Sequence, residues 1–381
     1  MNKVLIKILF ISIFFNFFSF KTYSQNINDN SKSKLGVNYN GVFEQINKID
    51  LVRCGAKVIR GFVDYFHYRE MGRKIYSDSG LKKLKEIYNN GYSVILNIKF
   101  NFEEKNLPIT TAEIKSELNF LDTLLSIIYD NCDHLVCGNE PFIESKKDQR
   151  DERLSNFYIA VAEKVNNFKN LQSKKIPLYI GAFDNLWKPS WQTEAAKTMI
   201  EFANKTDWIT GIDLHIHHTY MDDIDSAFEF VNPLIRENQK ILITEFSLKN
   251  QWKLHLTDTI PQILSIKFDR EKGMLVYEYL NFAIHNPVSR DEWVDFLKYS
   301  EWFDSRKNYL TDAYNKFTSY KKFSAATYGL YQNAPKVFTE HTDPWIINPL
   351  LVNVTVVKDS LTGEYQTNYS FFEEFNNIMG N

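Results

Sequence analysis

The chain has little of several things that would each have suggested a function. Its 381 residues hold three cysteines, Cys54, Cys132 and Cys137, in no metal-ligand spacing, and an odd number in an exported chain leaves at least one thiol unpaired. A disulfide scaffold and a zinc finger are excluded, and Cys137, inside an apolar strand-like run, reads as a small buried residue. Charge of one sign is also lacking: Lys+Arg 45 stand against Asp+Glu 47, a formal net charge of -2, with neither sign gathered into a block. No polyanion partner is implied, and nucleic acid is not an expected ligand.

Long apolar runs are scarce. The one candidate, Ile8 to Phe20, is interrupted by Ser12, Asn16 and Ser19 and is short of the roughly 20 residues that a bilayer span needs. Lys3 and Lys7 precede it and Thr22-Tyr23-Ser24 follows it, so residues 1–24 read as a signal peptide. No cysteine follows at which a lipid could be attached. The mature chain, 25–381, is expected to be secreted or periplasmic, without an integral membrane segment. It shows no internal repeat and no low-complexity linker, and its length suits one large α/β domain.

What the chain does have is aromatic residues, at 15%, with Tyr 21, Phe 30 and Trp 7. Rings fill cores, and in loops they stack on sugars. Short β-branched or apolar runs recur at 35–40, 57–64, 93–100, 134–139, 177–183, 211–217, 241–246 and 325–332. Amphipathic segments separate them, at 79–89, 111–129, 153–170, 193–204 and 226–238. Strand–helix alternation of this kind predicts parallel βα units and a (β/α)₈ TIM barrel. A helical insertion is expected between strands seven and eight, with helices at 274–285 and 290–303, and a small C-terminal β-hairpin at 351–357 and 364–369.

In such a barrel the strand C-termini converge on one mouth, where the active site lies. Strand four ends Cys137-Gly138-Asn139-Glu140-Pro141 and strand seven ends Ile243-Thr244-Glu245-Phe246. Two carboxylates therefore face each other across the mouth. Glycosidic hydrolysis needs such a pair, one protonated to serve the leaving oxygen and the other ionised to attack or stabilise the anomeric carbon. A solvated loop carboxylate is the commoner fate of a glutamate, but two that each follow an apolar run favour catalysis.

Asn-Glu-Pro closing strand four, together with Ile-Thr-Glu-Phe closing strand seven, resembles the retaining β-glycosidases of clan A over 35–332. The resemblance implies a glycoside hydrolase acting on a β-linked polysaccharide or oligosaccharide by double displacement. It implies Glu140 as acid/base, Asn139 as donor to the sugar 2-hydroxyl, and Glu245 as nucleophile. Arg60, closing Lys57-Val58-Ile59-Arg60, is similar to the clan's arginine that keeps the nucleophile ionised. His218 and Tyr220 resemble a His-x-Tyr pair whose hydroxyl orients the nucleophile. Clan members often end strand eight with a tryptophan beneath the sugar, and 325–332 holds none, leaving Tyr328 or Tyr331 as substitutes.

Three further tryptophans, Trp187, Trp191 and Trp252, lie in loops on the mouth side and are candidates for sugar stacking, with loop packing the equal alternative. Clustered histidines can bind zinc. Strand alternation, however, sends His215 and His217 to one face and His218 to the other, so three-ligand convergence is not expected. No metal and no organic cofactor is implied. A non-catalytic glycan-binding barrel and a transglycosylase are the alternative readings.

Overall fold

The computed structural model describes residues 34–380; the signal-peptide segment lies outside them. Eight parallel strands close into a barrel in chain order: β1 (Leu35–Asn38), β2 (Val58–Asp64), β3 (Ser93–Lys99), β4 (His134–Cys137), β5 (Leu178–Asp184), β6 (Gly211–His217), β7 (Lys240–Ser247) and β8 (Phe323–Gly329). Closure is made by β8 against β1, with Leu35 opposite Ala326 and Asn38 opposite Gly329. Helices cover the outside while side chains fill the inside, so both strand faces are buried, and the strands read as continuous apolar runs. Val58, Ile95, Val136, Tyr179, Leu242 and Ala325 form a separate cluster, a plug of side chains inside the barrel. The larger apolar core lies between strands and helices.

The helix starts follow capping chemistry. Asp78 accepts the Leu81 N–H before Ser79–Asn89, and Thr193 accepts the Ala196 N–H before Glu194–Lys205. The helix expected at 111–129 is instead broken into Thr111–Glu117, a 3₁₀ turn at Leu118–Phe120, and Leu121–Ile128. The Tyr65 hydroxyl causes the break. It donates to the Glu117 carbonyl at 2.5 Å and accepts the Phe120 N–H at 3.2 Å, an insertion into the ladder that kinks a helix. The helix expected at 226–238 runs over Asp222–Val231. Asp223 draws its start forward by accepting the Thr219 and Tyr220 N–H groups, and Pro233 enforces a 3₁₀ ending at Asn232–Leu234.

Strand eight begins and ends earlier than 325–332, at Phe323–Gly329. The insertion before it is helical, with Val276–His285 and Arg290–Tyr299 its longest pieces apart from Tyr309–Ser319. The C-terminal hairpin shrinks to two residues a side, Leu351–Val352 against Gln366–Thr367. Val356 pairs with Val288 of the insertion instead, and a helix at Phe371–Met379 follows. No helix among the described residues is long and apolar enough to cross a membrane.

Candidate active site

Arg60 organises the mouth. It projects inward from β2, fully buried. Its Nε donates to Asn97 Oδ1 at 2.9 Å, its Nη1 to Asn38 Oδ1 at 3.1 Å and to Glu245 Oε1, and its Nη2 to Asn139 Oδ1 at 2.5 Å. Strands one, three, four and seven are thus tied to one guanidinium, whose planar fork suits several oxygens at once. Behind it, Asn97 Nδ2 donates to Asp213 Oδ2 at 2.9 Å, and Asp213 accepts the Thr244 N–H at 3.0 Å and the Thr244 hydroxyl at 2.5 Å.

Local backbone geometry aims the two glutamates. At the end of β4, Gly138 has φ 133° and Glu140 has φ 44°, a left-handed conformation that non-glycine residues adopt mainly where surrounding contacts demand it. Between β6 and β7 the register slips, from Leu214 opposite Ile243 to His215 opposite Glu245. This bulge brings Thr244 and Glu245 both against His215: Thr244 Oγ1 is 3.0 Å from Nε2 and Glu245 Oε1 is 3.9 Å from Nδ1.

His215 Nδ1 also lies 3.1 Å from Glu140 Oε1. His217 Nδ1 pairs with the Ser247 hydroxyl at 2.9 Å. Its Nε2 faces Glu245 Oε2 at 3.6 Å and Glu140 Oε1 at 3.9 Å and has no hydrogen-bond partner. The facing atoms of Glu140, His215, His217 and Glu245 all lie within 4.8 Å of one another.

Burial would raise the Glu245 carboxyl, but His215, Arg60 and His217 outweigh it and hold the group well below the usual carboxylate range. Glu140 also resists burial and is held down to about 2, by its hydrogen bond to His215 and by that ring's charge. Asp184, buried at the end of β5, is pushed well above the usual range, first by burial and then by the charge of Glu140. Glu144 is raised likewise by burial; it accepts the Asn139 amide at 2.8 Å and pairs with Lys99 at 2.5 Å. Glu140 and Glu245 are thus both held low, while Asp184 and Glu144 beside them are pushed up. The cleft opens beside Glu245 and is lined by Asn38, His217, Tyr328, Gln332 and Trp345 among others.

The structure brings Arg60, Asn139, Glu140 and Glu245 together. It does not bring His218 and Tyr220 to them. His218 points to the outer layer, where its Nδ1 pairs with the Tyr220 carbonyl at 2.7 Å and its Nε2 with the Tyr309 hydroxyl at 3.0 Å. Tyr220 is exposed, and only its main chain is hydrogen-bonded. His217 stands beside Glu245 where a tyrosine hydroxyl was expected. Trp252 is fully buried inside the insertion, its Nε1 donating to Asn348 Oδ1 at 3.0 Å and its ring stacked on Phe303. It offers no face to a ligand. Trp187 is buried, and Trp191 is half-buried beside Arg150.

Trp345 is the aromatic that sequence reasoning missed. Its ring meets His217 edge-on, with centroids 4.7 Å apart, and it arrives on a loop well past β8, where spacing carries no signal. Tyr331 is buried, with its hydroxyl on Asp50. Tyr328 lines the cleft, but its hydroxyl has no partner. Asn38 was findable, since it ends β1 as Glu245 nearly ends β7.

No protein-family model and no curated protein matches the chain. Solved structures do match in fold. A β-glucosidase from Exiguobacterium marinum aligns at 9% identity over 91% of this chain and 98% of its own, with a TM-score of 0.51. A GH2 β-galacturonidase from Eisenbergiella tayi aligns at 12% identity over 91% of this chain, with a TM-score of 0.50, and the present chain spans 51% of that enzyme. The eight-stranded parallel barrel is therefore the fold that this chain shares with the matched β-glucosidase and β-galacturonidase.

Proposed function

We propose that this chain is an exported glycoside hydrolase that cleaves β-glycosidic bonds of a polysaccharide or oligosaccharide with retention of configuration. The observation that carries the reading is the Glu140–Glu245 pair. One oxygen of each lies within 4.8 Å of one of the other's, an approach that supports the closer carboxyl spacing of retaining enzymes, roughly 5–5.5 Å, over the roughly 6.5–9.5 Å that admits an attacking water. Glu245, kept ionised against Arg60, attacks the anomeric carbon. The departing oxygen takes its proton from Glu140. Glu140, now without it, accepts a proton from the water that opens the glycosyl ester, which restores the starting state. Asn139, fixed by Arg60 and Glu144, is placed to bind the hydroxyl next to the reacting carbon. The N-terminal pattern of basic residues, apolar run and small residues supports export.

A panel of β-glucans, mannans, xylans and galactans, with product anomers followed by NMR, tests this reading. Glu245→Ala is expected to abolish turnover in a folded protein, and Glu140→Gln to lower kcat by about 10²–10⁴-fold. The first product should be the β-anomer. Full activity of Glu245→Ala, or an α-anomer formed first, overturns the mechanism.

A further inference from the structure

The mouth has a donor set that hydrolysis does not need. Glycosidase chemistry asks for two carboxylates, yet two imidazoles converge on the same point. His215 Nδ1 is 3.1 Å from Glu140 Oε1 and 3.9 Å from Glu245 Oε1, and His217 Nε2 is 3.9 Å from Glu140 Oε1 and 3.6 Å from Glu245 Oε2. A tetrahedral zinc ion with bonds of about 2.0–2.1 Å spaces its donors roughly 3.3–3.4 Å apart. Closing the cluster onto such an ion takes about half an ångström at the pairs 3.6–3.9 Å apart and up to roughly 1.4 Å at the widest spacing, which lies within 4.8 Å.

The supporting hydrogen bonds also suit a cation. His215 Nε2 is held from behind by the Thr244 hydroxyl at 3.0 Å and by Arg60 Nη2 at 3.3 Å, which leaves Nδ1 as the atom facing the cluster. Supporting contacts of this kind are what orient metal-binding histidines. His217 is held the same way at Nδ1 by Ser247. Its Nε2 points into the cluster from a side chain 9% exposed, with no partner of its own. Two carboxylates opposed by one guanidinium leave a net negative site, which a divalent cation would neutralise.

We propose that Glu140, His215, His217 and Glu245 form a binding site for a zinc-type divalent cation, and that this cation and the glycan are mutually exclusive occupants of the mouth. Four protein donors close the tetrahedron and leave no open position for a water or substrate, as in structural rather than catalytic zinc sites. The ion takes up both carboxylates needed for hydrolysis, so it is a reversible inhibitor. Nitrogen donors select zinc, copper(II) and nickel(II) over magnesium and calcium, which favour all-oxygen shells. Only the inhibitory consequence rests on the proposed glycosidase function; binding does not.

The test is calorimetric titration of EDTA-stripped full-length protein with zinc chloride, with magnesium chloride as control and glycan hydrolysis measured in parallel. One zinc per chain is expected, with no heat from magnesium, and hydrolysis lost on zinc addition and recovered with EDTA. His217→Gln and His215→Ala, each checked for folding by circular dichroism, should weaken binding more than about tenfold. Should His215→Ala fail to fold, His217→Gln alone decides. Zinc binding that is absent, or equal in wild type and His217→Gln, overturns the site. Hydrolysis that requires zinc overturns the exclusion. Zinc binding without glycan hydrolysis upholds the site while removing the proposed function, and hydrolysis without zinc binding does the reverse.

Discussion

A buried cation without an ionised partner costs several kcal/mol. Arg60 is fully buried and its carboxylate partner is Glu245, so the folded barrel favours the ionised form of Glu245. The same logic makes Arg60 legible in sequence: a charge closing an apolar strand is an expensive placement that a carboxylate must repay. Trp345 shows the opposite case. It reaches the mouth only because the chain after β8 folds back across the barrel, and nothing local marks it. Its half-buried ring meets His217 and lines the cleft beside Glu245, and under the proposed glycosidase function it would be the stacking platform for a sugar. Trp345→Ala should therefore raise KM about tenfold, the value of one good aromatic contact, with kcat less affected and the melting temperature little changed. Trp345→Phe should recover most of the affinity. A loss confined to kcat, with KM at its wild-type value, would remove the ring from the ground-state contact.

At the scale of elements, the strands were legible because burial on both faces leaves a continuous apolar run, and all but β8 begin within one residue of the expected start. The helix errors have a common physical source, side chains that reach from elsewhere into a helix terminus or ladder, as Tyr65 and Asp223 do. The strand-six histidines divide as alternation requires: His215 and His217 face in and His218 faces out. The family pattern assigned the functional pair to the outward residue, which the register does not allow. The turn after β4 carries a similar constraint. A Cβ at Gly138 would collide with the Gly181 carbonyl oxygen, and the residue has φ 133°. Gly138→Ala should cost about 2–4 kcal/mol and displace Asn139 and Glu140, lowering both the denaturation midpoint and activity. Gly273 is a control, with φ 84° but nothing within 4 Å of its Cβ position. Gly273→Ala should lose about 1 kcal/mol and leave activity intact. Equal midpoints for the two variants would refute the steric account.

At the scale of the molecule, the segments least legible in sequence are those that seal the barrel's outer layer. The tail helix Phe371–Met379 inserts Phe371 against Phe303, Tyr309 and Tyr328, joining the insertion to β8. Its Glu374, almost fully buried, accepts the Leu310 and Thr311 N–H groups at 3.4 and 3.1 Å, at the start of Tyr309–Ser319. Those N–H groups favour the ionised carboxylate, yet burial prevails and lifts the group to about 7 from an ordinary value of 4.5. Between these two values the folded state binds more protons than the unfolded state, so stability falls as pH rises from about 4.5 to 7. Above pH 7 that contribution is gone. His134, lowered by burial to about 4 from 6.5, works the other way: the unfolded state binds more protons between those values, and stability falls as pH drops through them. Wild-type stability alone therefore mixes the two, and the difference between Glu374→Gln and wild type isolates the carboxyl. The amide side chain introduced there would keep an acceptor for the closer Thr311 N–H, giving up only the longer 3.4 Å bond from Leu310, without a charge to bury. The variant should be more stable than wild type at pH 8, by on the order of 2 kcal/mol, with the difference shrinking towards pH 4.5. Urea midpoints at pH 5 and pH 8 for both proteins check this. A difference independent of pH would mean that Glu374 stays ionised across the range and that the helix N-terminus, not burial, governs it.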